Sequence, residues 1–187
     1  MNEDVGKSDL QELGTSPLVR KFGRDIVLAA RGRPIIDVAC GGGRNSVWIS
    51  HLGGQVVGID IDLSRIQNEA IRSTDSPFAE AFSRVGTLRL DLIEEAWPYL
   101  PGSIGGIINT HFLHQPLLRT FSQSLIVGGL LILETVEGRG GNYLQLPAEG
   151  DLRMALQESF RLLFYRERRV GPQGSSAVTV KLVGAKL

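Results

Sequence analysis

Short apolar runs that end at glycine-rich breaks alternate along this chain with segments whose apolar residues recur every three or four positions. Ser16-Pro17 opens the first helical segment, a capping residue followed by proline at the first helical position. Leu18, Phe22, Ile26, Ala29 and Ala30 carry it to a stop at Gly32. Its other face holds Arg20, Lys21, Arg24 and Arg31 and reads as solvated. Ile35 to Ala39 then forms a buried strand, Asn45 to Leu52 a helix closed by Gly53-Gly54, and Val56 to Asp60 a second strand. Ser64 with Gln67 spells a capping box for a short helix through Ile71. Ser73 to Pro77 breaks the chain, and Phe78 to Phe82 fits either period. Val85 to Leu90 is a third strand and Ile104 to Thr110 a fourth, weakened by Gly105-Gly106. Pro116 to Ile126 packs as a helix through Leu117, Leu118, Phe121 and Leu125, and Gly128-Gly129 leads into the strongly apolar strand Leu130 to Val136. Gly138 to Gly150 is a long polar loop and a lid candidate, and Asp151 caps a helix through Glu158. Phe160 to Val170 and Ala177 to Val183 make an antiparallel hairpin around Gly171 to Gly174. This alternation closed by a hairpin predicts one α/β domain over residues 16–187, behind a frayed polar tail over residues 1–15.

Composition narrows the functional classes. Twenty basic residues balance twenty acidic ones, so no global charge points to nucleic acid or a membrane surface. No apolar run approaches the roughly 18 residues of a membrane span, and the polar N-terminus argues against export and for a cytoplasmic location. The single cysteine, Cys40, cannot form an internal disulfide, which fits a reducing compartment.

The chemistry concentrates where Ile35-Ile36-Asp37-Val38 meets Ala39-Cys40-Gly41-Gly42-Gly43-Arg44-Asn45. A strand, a glycine turn and a helix start bring backbone N–H groups and a positive helix end up to a ligand. A dinucleotide fold uses a similar turn, but its fingerprint is G-x-G-x-x-G, and Ser46 stands here where the third glycine belongs. Asp37 would repel a pyrophosphate, whereas S-adenosylmethionine (SAM), with a sulfonium and an ammonium, tolerates a carboxylate beside the turn. Asp60 ends the second strand, where doubly wound sheets reach a ribose diol, and Asp62 follows it. Leu90-Asp91-Leu92 places a carboxylate after the third strand for an adenine amino group, and Asn109-Thr110 ends the fourth. Any one of these aspartates could be a helix cap or a solvated loop residue. Their recurrence after three successive strands favours a SAM site over a nicotinamide site.

Ile36 to Arg44 resembles motif I of class I SAM-dependent methyltransferases, with Ala39 in place of the usual first glycine. Thr110 to Leu118, Gly128 to Thr135, Asn142-Tyr143-Leu144 and Pro147 to Arg153 resemble the small methyltransferases of the tellurite-resistance type. The resemblance implies a Rossmann-like, doubly wound, mostly parallel seven-stranded sheet whose last strand runs antiparallel. It also implies SAM contacts at Asp37, Gly41, Asp60, Asp91 and Asn109, with Ala39, Cys40, Gly43, Arg44, Asn45, Ile61, Leu92 and Thr110 around them. In some members a His-Arg pair after the penultimate strand is tied to catalysis. The corresponding stretch here, Arg168-Arg169-Val170-Gly171-Pro172, has no histidine.

Methyl transfer is an in-line displacement that gains most from alignment and exclusion of water. His111 and His114, just beyond the fourth strand, are the candidate bases, with a polar residue at a helix start as the plain alternative; His114 could also cap that helix. Their spacing resembles a metal pair, but no third ligand is evident nearby, and no metal is expected. Cys40 reads as packing, Trp97-Pro98 as a hydrophobic plug, and Tyr143 as a residue pinning the glycine-rich loop. The function expected is methyl transfer from SAM to a small-molecule acceptor, with no nucleic-acid partner. The competing reading is a catalytically silent SAM-binding sensor or partner subunit.

Overall fold

The structure, a computed structural model, describes residues 13–137, 150–169 and 178–187. The lid candidate with Tyr143, most of the expected N-terminal tail, and the turn of the C-terminal hairpin lie outside the described residues. The described strands are β1 (Ile35–Val38), β2 (Val56–Asp60), β3 (Gly86–Arg89), β4 (Ile104–Thr110), β5 (Leu125–Glu137), β6 (Phe160–Arg169) and β7 (Val178–Lys186). They form one sheet in the order β3-β2-β1-β4-β5-β7-β6. The pairings from β3 across to β5 are parallel, and β7 runs antiparallel to both β5 and β6. This is the expected mostly parallel sheet with an antiparallel end. Its strand order reverses between β1 and β4, where open α/β sheets bind ligands.

Each face of the sheet carries its own apolar layer. On one face α1 (Pro17–Ala30) and α2 (Arg44–His51) pack Leu18, Val19, Ile26 and Ile49 onto Ile35, Ile108 and Ile132. On the other, α5 (Pro116–Ser124) and α6 (Asp151–Gln157) pack Phe121 and Leu152 onto Ile36, Ile107 and Leu131. α3 (Ser64–Arg72) and α4 (Ala79–Ser83) lie after β2, where Phe78, Ala81 and Phe82 form a satellite cluster with Val47 of α2. Trp97 is the expected plug: its ring lies 5.1 Å from Phe121 and its Nε1 donates to Ser124 Oγ at 2.8 Å. Among the described residues no helix is long and apolar enough to cross a membrane.

Several local expectations change. β4 is buried throughout, and its pairing with β5 is irregular at Gly105, where the register shifts between Ile104 and Gly106. A Cβ on Gly105 would stand 2.5 Å from Ala30 Cα, so the missing side chain is what lets α1 lie on the sheet. Leu125 and Ile126 belong to β5 rather than to the preceding helix. Leu125 pairs with Ile104, and the register shifts before Gly106 meets Leu130, with Gly128 at φ 84 between them. Pairing with a buried strand outweighs the helical spacing of the sequence. The capping box at Ser64 does not form; Asp62 instead accepts the Ser64 N–H at 2.9 Å, two residues ahead. Gly150, left-handed at φ 90, holds the cap position before α6, and Asp151 is its first helical residue. His114 caps no helix through its side chain; its carbonyl accepts the Leu117 N–H at 3.0 Å, and Gln115 is the cap residue.

Candidate functional site

The turn after β1 packs three left-handed residues into five positions. Ala39, Gly41 and Gly43 all take left-handed conformations, at φ 52, 55 and 76. For Ala39 this costs about 1 kcal/mol, which glycine would not incur. Gly43 has no such latitude: a Cβ there would fall 2.4 Å from Ile66 Cδ1, so α3 seats itself on the turn through this glycine. Asp60 clamps the turn from β2. Its Oδ2 accepts the Gly41 N–H at 2.8 Å and its Oδ1 the Asp62 N–H at 3.1 Å. Each carboxylate oxygen offers two acceptor positions, so both retain capacity for a ligand hydroxyl.

Asp37 lies beneath this turn, 1% exposed. Its Oδ2 accepts from Ser46 Oγ at 2.6 Å, while Oδ1 has no partner. Burial pushes its carboxyl up to about 6; hydrogen bonds from the Ser46 side chain and backbone and the charge of Arg44 pull the other way, and Asp60 adds to the rise. Ser46, which breaks the dinucleotide fingerprint, is therefore the residue that holds Asp37. Asn109, one strand over and opposite Val38, is equally buried and its Oδ1 also lacks a partner.

Above the turn opens a cavity of about 680 Å³. Of the residues expected at the site, Ala39, Cys40, Gly41, Arg44, Asn45 and Asp60 line it from one side. Thr110 and His111 line it from the end of β4. Asp37, Gly43, Ile61, Asp91, Leu92, Asn109 and His114 are not in its wall. Asp91 caps its own turn, Oδ1 accepting from Ile93 and Glu94, and Leu92 is buried. Ile61, just past Asp60, leaves 56% of its surface exposed at that edge. Burial pushes the Cys40 thiol up to about 12, with Asp37 and Asp60 adding to it, and its sulfur packs against Gly58; this is the packing role expected.

Other lining residues had no clear mark in the sequence. Arg65 and Glu69, one turn apart on α3, face the cavity because Ile66 between them is drawn into Gly43. Phe78 and Phe82 form an apolar wall, joined by Leu13 and Phe112. The i, i+4 spacing of the two phenylalanines was the available signal.

A hydrogen-bonded clasp fixes the front edge. Asn45 Nδ2 donates to Thr110 Oγ1 at 3.0 Å, and its Oδ1 accepts the Ser16 N–H at 3.1 Å. Ser16 Oγ donates to Glu134 Oε2 at 2.8 Å, and Lys181 Nζ meets Glu134 Oε1 at 2.6 Å. Burial alone would raise the Glu134 carboxyl, but the bonds from Lys181 and Ser16 outweigh it and hold it below the ordinary range. The Glu134 carbonyl accepts the His111 N–H at 2.8 Å, and His111 sits at φ 62, a strained conformation for a side-chain-bearing residue.

Comparison with known proteins agrees with this architecture. A family model described as a methyltransferase domain matches residues 36–133, from β1 into β5. No curated protein sequence matches the chain. Among solved structures, the MccD protein superposes with a TM-score of 0.68 at 13% identity, covering 92% of this chain and 98% of its own. Geranyl diphosphate C-methyltransferase from Streptomyces coelicolor gives 0.66 at 14% identity, over 89% of this chain and 74% of its own. A TehB-like SAM-dependent methyltransferase from Corynebacterium glutamicum gives 0.55 at 20% identity, over 97% of this chain and all of its own. With more than half its length matched by the family model, and with the sheet and ligand edge described above, the chain belongs to the methyltransferase-domain family and has the fold of class I SAM-dependent methyltransferases.

Proposed function

We propose that this chain transfers a methyl group from SAM to a small-molecule acceptor by in-line displacement, and that the edge around the glycine turn holds the donor. The observation that carries this reading is Asp37, a carboxylate sealed under the turn with one oxygen left without a partner. Such a group is a cost to the fold unless a ligand or water completes it, and an ammonium would do so. Asn109, with its own partnerless oxygen, and Thr110 stand with Asp37 on the amino-acid side, and Arg44 and Asn45 at the helix start face a carboxylate. Asp60 receives the ribose hydroxyls on its remaining lone pairs. Ile61, Asp91 and Leu92 border the adenine, which would cover the exposed Ile61 surface. Ala39, Cys40, Gly41 and Gly43 let the backbone come close.

SAM supplies the methyl group on a sulfonium, and its displacement demands alignment and a dry site rather than a covalent enzyme intermediate. His111 is the base in this scheme: it lines the cavity and its backbone is pinned to Glu134, whereas His114 lies outside the wall. The likeness to geranyl diphosphate methyltransferases, whose named acceptor is a small molecule, supports an acceptor of that size.

SAM and S-adenosylhomocysteine should each raise the melting temperature by mass action, while NAD should not. Stabilisation by NAD without SAM would refute the donor assignment. Methyl-labelled SAM offered with thiols, selenite, amines and small acids tests turnover. Binding with no labelled product across that panel would leave a silent SAM-binding protein.

A further inference from the structure

The cavity above the glycine turn is lined by four charged side chains, Arg44, Asp60, Arg65 and Glu69. The two carboxylates are already engaged. Asp60 spans the Gly41 and Asp62 N–H groups, and Glu69 Oε1 pairs with Arg72 Nη1 at 3.1 Å rather than with Arg65. Asp62, close to Arg65 in sequence, accepts from the Ser64 N–H and hydroxyl. Neither guanidinium has a hydrogen-bond or ion-pair partner among the described residues. Arg65 is also held close to the reaction edge: a Cβ built on Gly41 would lie 3.5 Å from its Nη1 and 3.7 Å from its Cζ.

Charge accounting then points outward. The amino-acid part of the donor brings one carboxylate, and Arg44, beside Asn45 and close enough for its charge to act on Asp37, is placed to meet it. That leaves Arg65, a cation facing the cavity whose charge is felt by the exposed Asp62 carboxylate but whose guanidinium donates to no group among the described residues. A planar guanidinium is suited to bidentate recognition of carboxylate or phosphate. Part of the remaining wall is apolar, with Phe78 and Phe82 one helical turn apart, Leu13 and Phe112, beside the polar Ser73, Ser76 and His111. We infer that the methyl acceptor is an acid, an apolar or aromatic body bearing a carboxylate or phosphate, and that Arg65 is the residue that holds its anionic group. This rests on the methyl-transfer reading above and assigns the substrate class for the same site.

The test uses the full chain saturated with S-adenosylhomocysteine and titrated calorimetrically with 2-naphthoate, 2-naphthyl phosphate and the neutral methyl ester of 2-naphthoate. The expected result is that an anion binds about ten-fold or more tightly than the ester, as one charge-assisted hydrogen bond would give. Arg65→Gln should erase that preference while S-adenosylhomocysteine affinity stays within about two-fold, too small a change for a lost charge-assisted bond. Equal binding of anions and ester overturns the inference but leaves the donor site standing. A large loss of S-adenosylhomocysteine affinity in Arg65→Gln would make Arg65 the donor's own anchor and overturn it too. Failure of the wild type to bind S-adenosylhomocysteine removes the methyl-transfer reading, and this inference with it. Arg44→Gln supplies the control, expected to weaken S-adenosylhomocysteine and spare the anion preference.

Discussion

Asp37→Asn should make the unliganded protein more stable and a poorer binder of SAM. Burial raises the Asp37 carboxyl from 3.8 to about 6, so the native state holds its proton more tightly than the unfolded chain does. The stability this gives is fully present below pH 3.8 and is lost as the pH rises through about 6. A shift of this size means that ionised Asp37 costs the fold about 3 kcal/mol at pH 7, and only a small part of that cost applies at pH 4. Asparagine keeps an oxygen for Ser46 but places an N–H₂ group where the partnerless Oδ1 now lies, which returns about 1–2 kcal/mol of the gain. The net stabilisation at pH 7 should be about 1–2 kcal/mol, or several degrees in melting temperature for a chain of this size. The cleaner quantity is the difference between variant and wild type at pH 7 less that at pH 4, about 2 kcal/mol, because the fixed cost of the amide cancels. Urea unfolding of both proteins at the two pH values measures it. Calorimetry at pH 7 should show SAM affinity lowered by about 1.5–3 kcal/mol, the worth of a hydrogen bond to a charged group. A variant less stable than wild type, with the same pH slope, would refute the reasoning. Asp37 would then be a structural helix partner for Ser46, not a carboxylate held at a cost for a ligand.

Other perturbations probe other parts of the frame. Asp60→Ala should weaken SAM binding by about 1–3 kcal/mol through lost charge-assisted bonds, and unchanged affinity in calorimetry would remove Asp60 from the site. Gly105→Ala should destabilise by about 1–3 kcal/mol or more in chemical denaturation, because its methyl overlaps the Ala30 backbone; a neutral result would mean that α1 is free to shift. Lys181→Met should cost about 2 kcal/mol or more by leaving the buried Glu134 carboxylate with Ser16 alone. Because Glu134 is held below the ordinary carboxylate range, that loss should be present at neutral pH and shrink as the medium becomes acidic; a penalty independent of pH would contradict the pairing.

What could be read in the sequence was what depends on neighbours along the chain. Ile35 to Val38 followed by Gly41-Gly42-Gly43 announced a strand and a tight turn, since buried parallel strands are apolar throughout and tight turns need glycine. Features that depend on a second element were hidden. Gly105 looked like a defect because Ala30, seventy-five positions earlier, is the surface it must clear. Ser46 appeared as an absent glycine, and its partnership with Asp37 emerges only when α2 folds back over β1. Arg65 reaches the cavity because Ile66 docks on Gly43, and helical period alone does not say which face of a short polar helix turns inward. Nothing along the chain marks Glu134 and Lys181 as partners. Their pairing required β7 to lie antiparallel beside β5.

The clasp at the front of the cleft ties together Ser16, Asn45, Thr110, Glu134 and Lys181, and its bond from Ser16 to Glu134 closes 118 positions of sequence. Closing a loop of this length costs more conformational entropy than closing a local turn. The glycine turn draws its clamp from Asp60, 19 positions on, but the rim that frames it is assembled from nearly the whole length of the polypeptide. A nascent or clipped fragment ending before β7 would therefore contain the glycine turn and Asp60 but lack Lys181, leaving the rim unfinished until the sheet is complete.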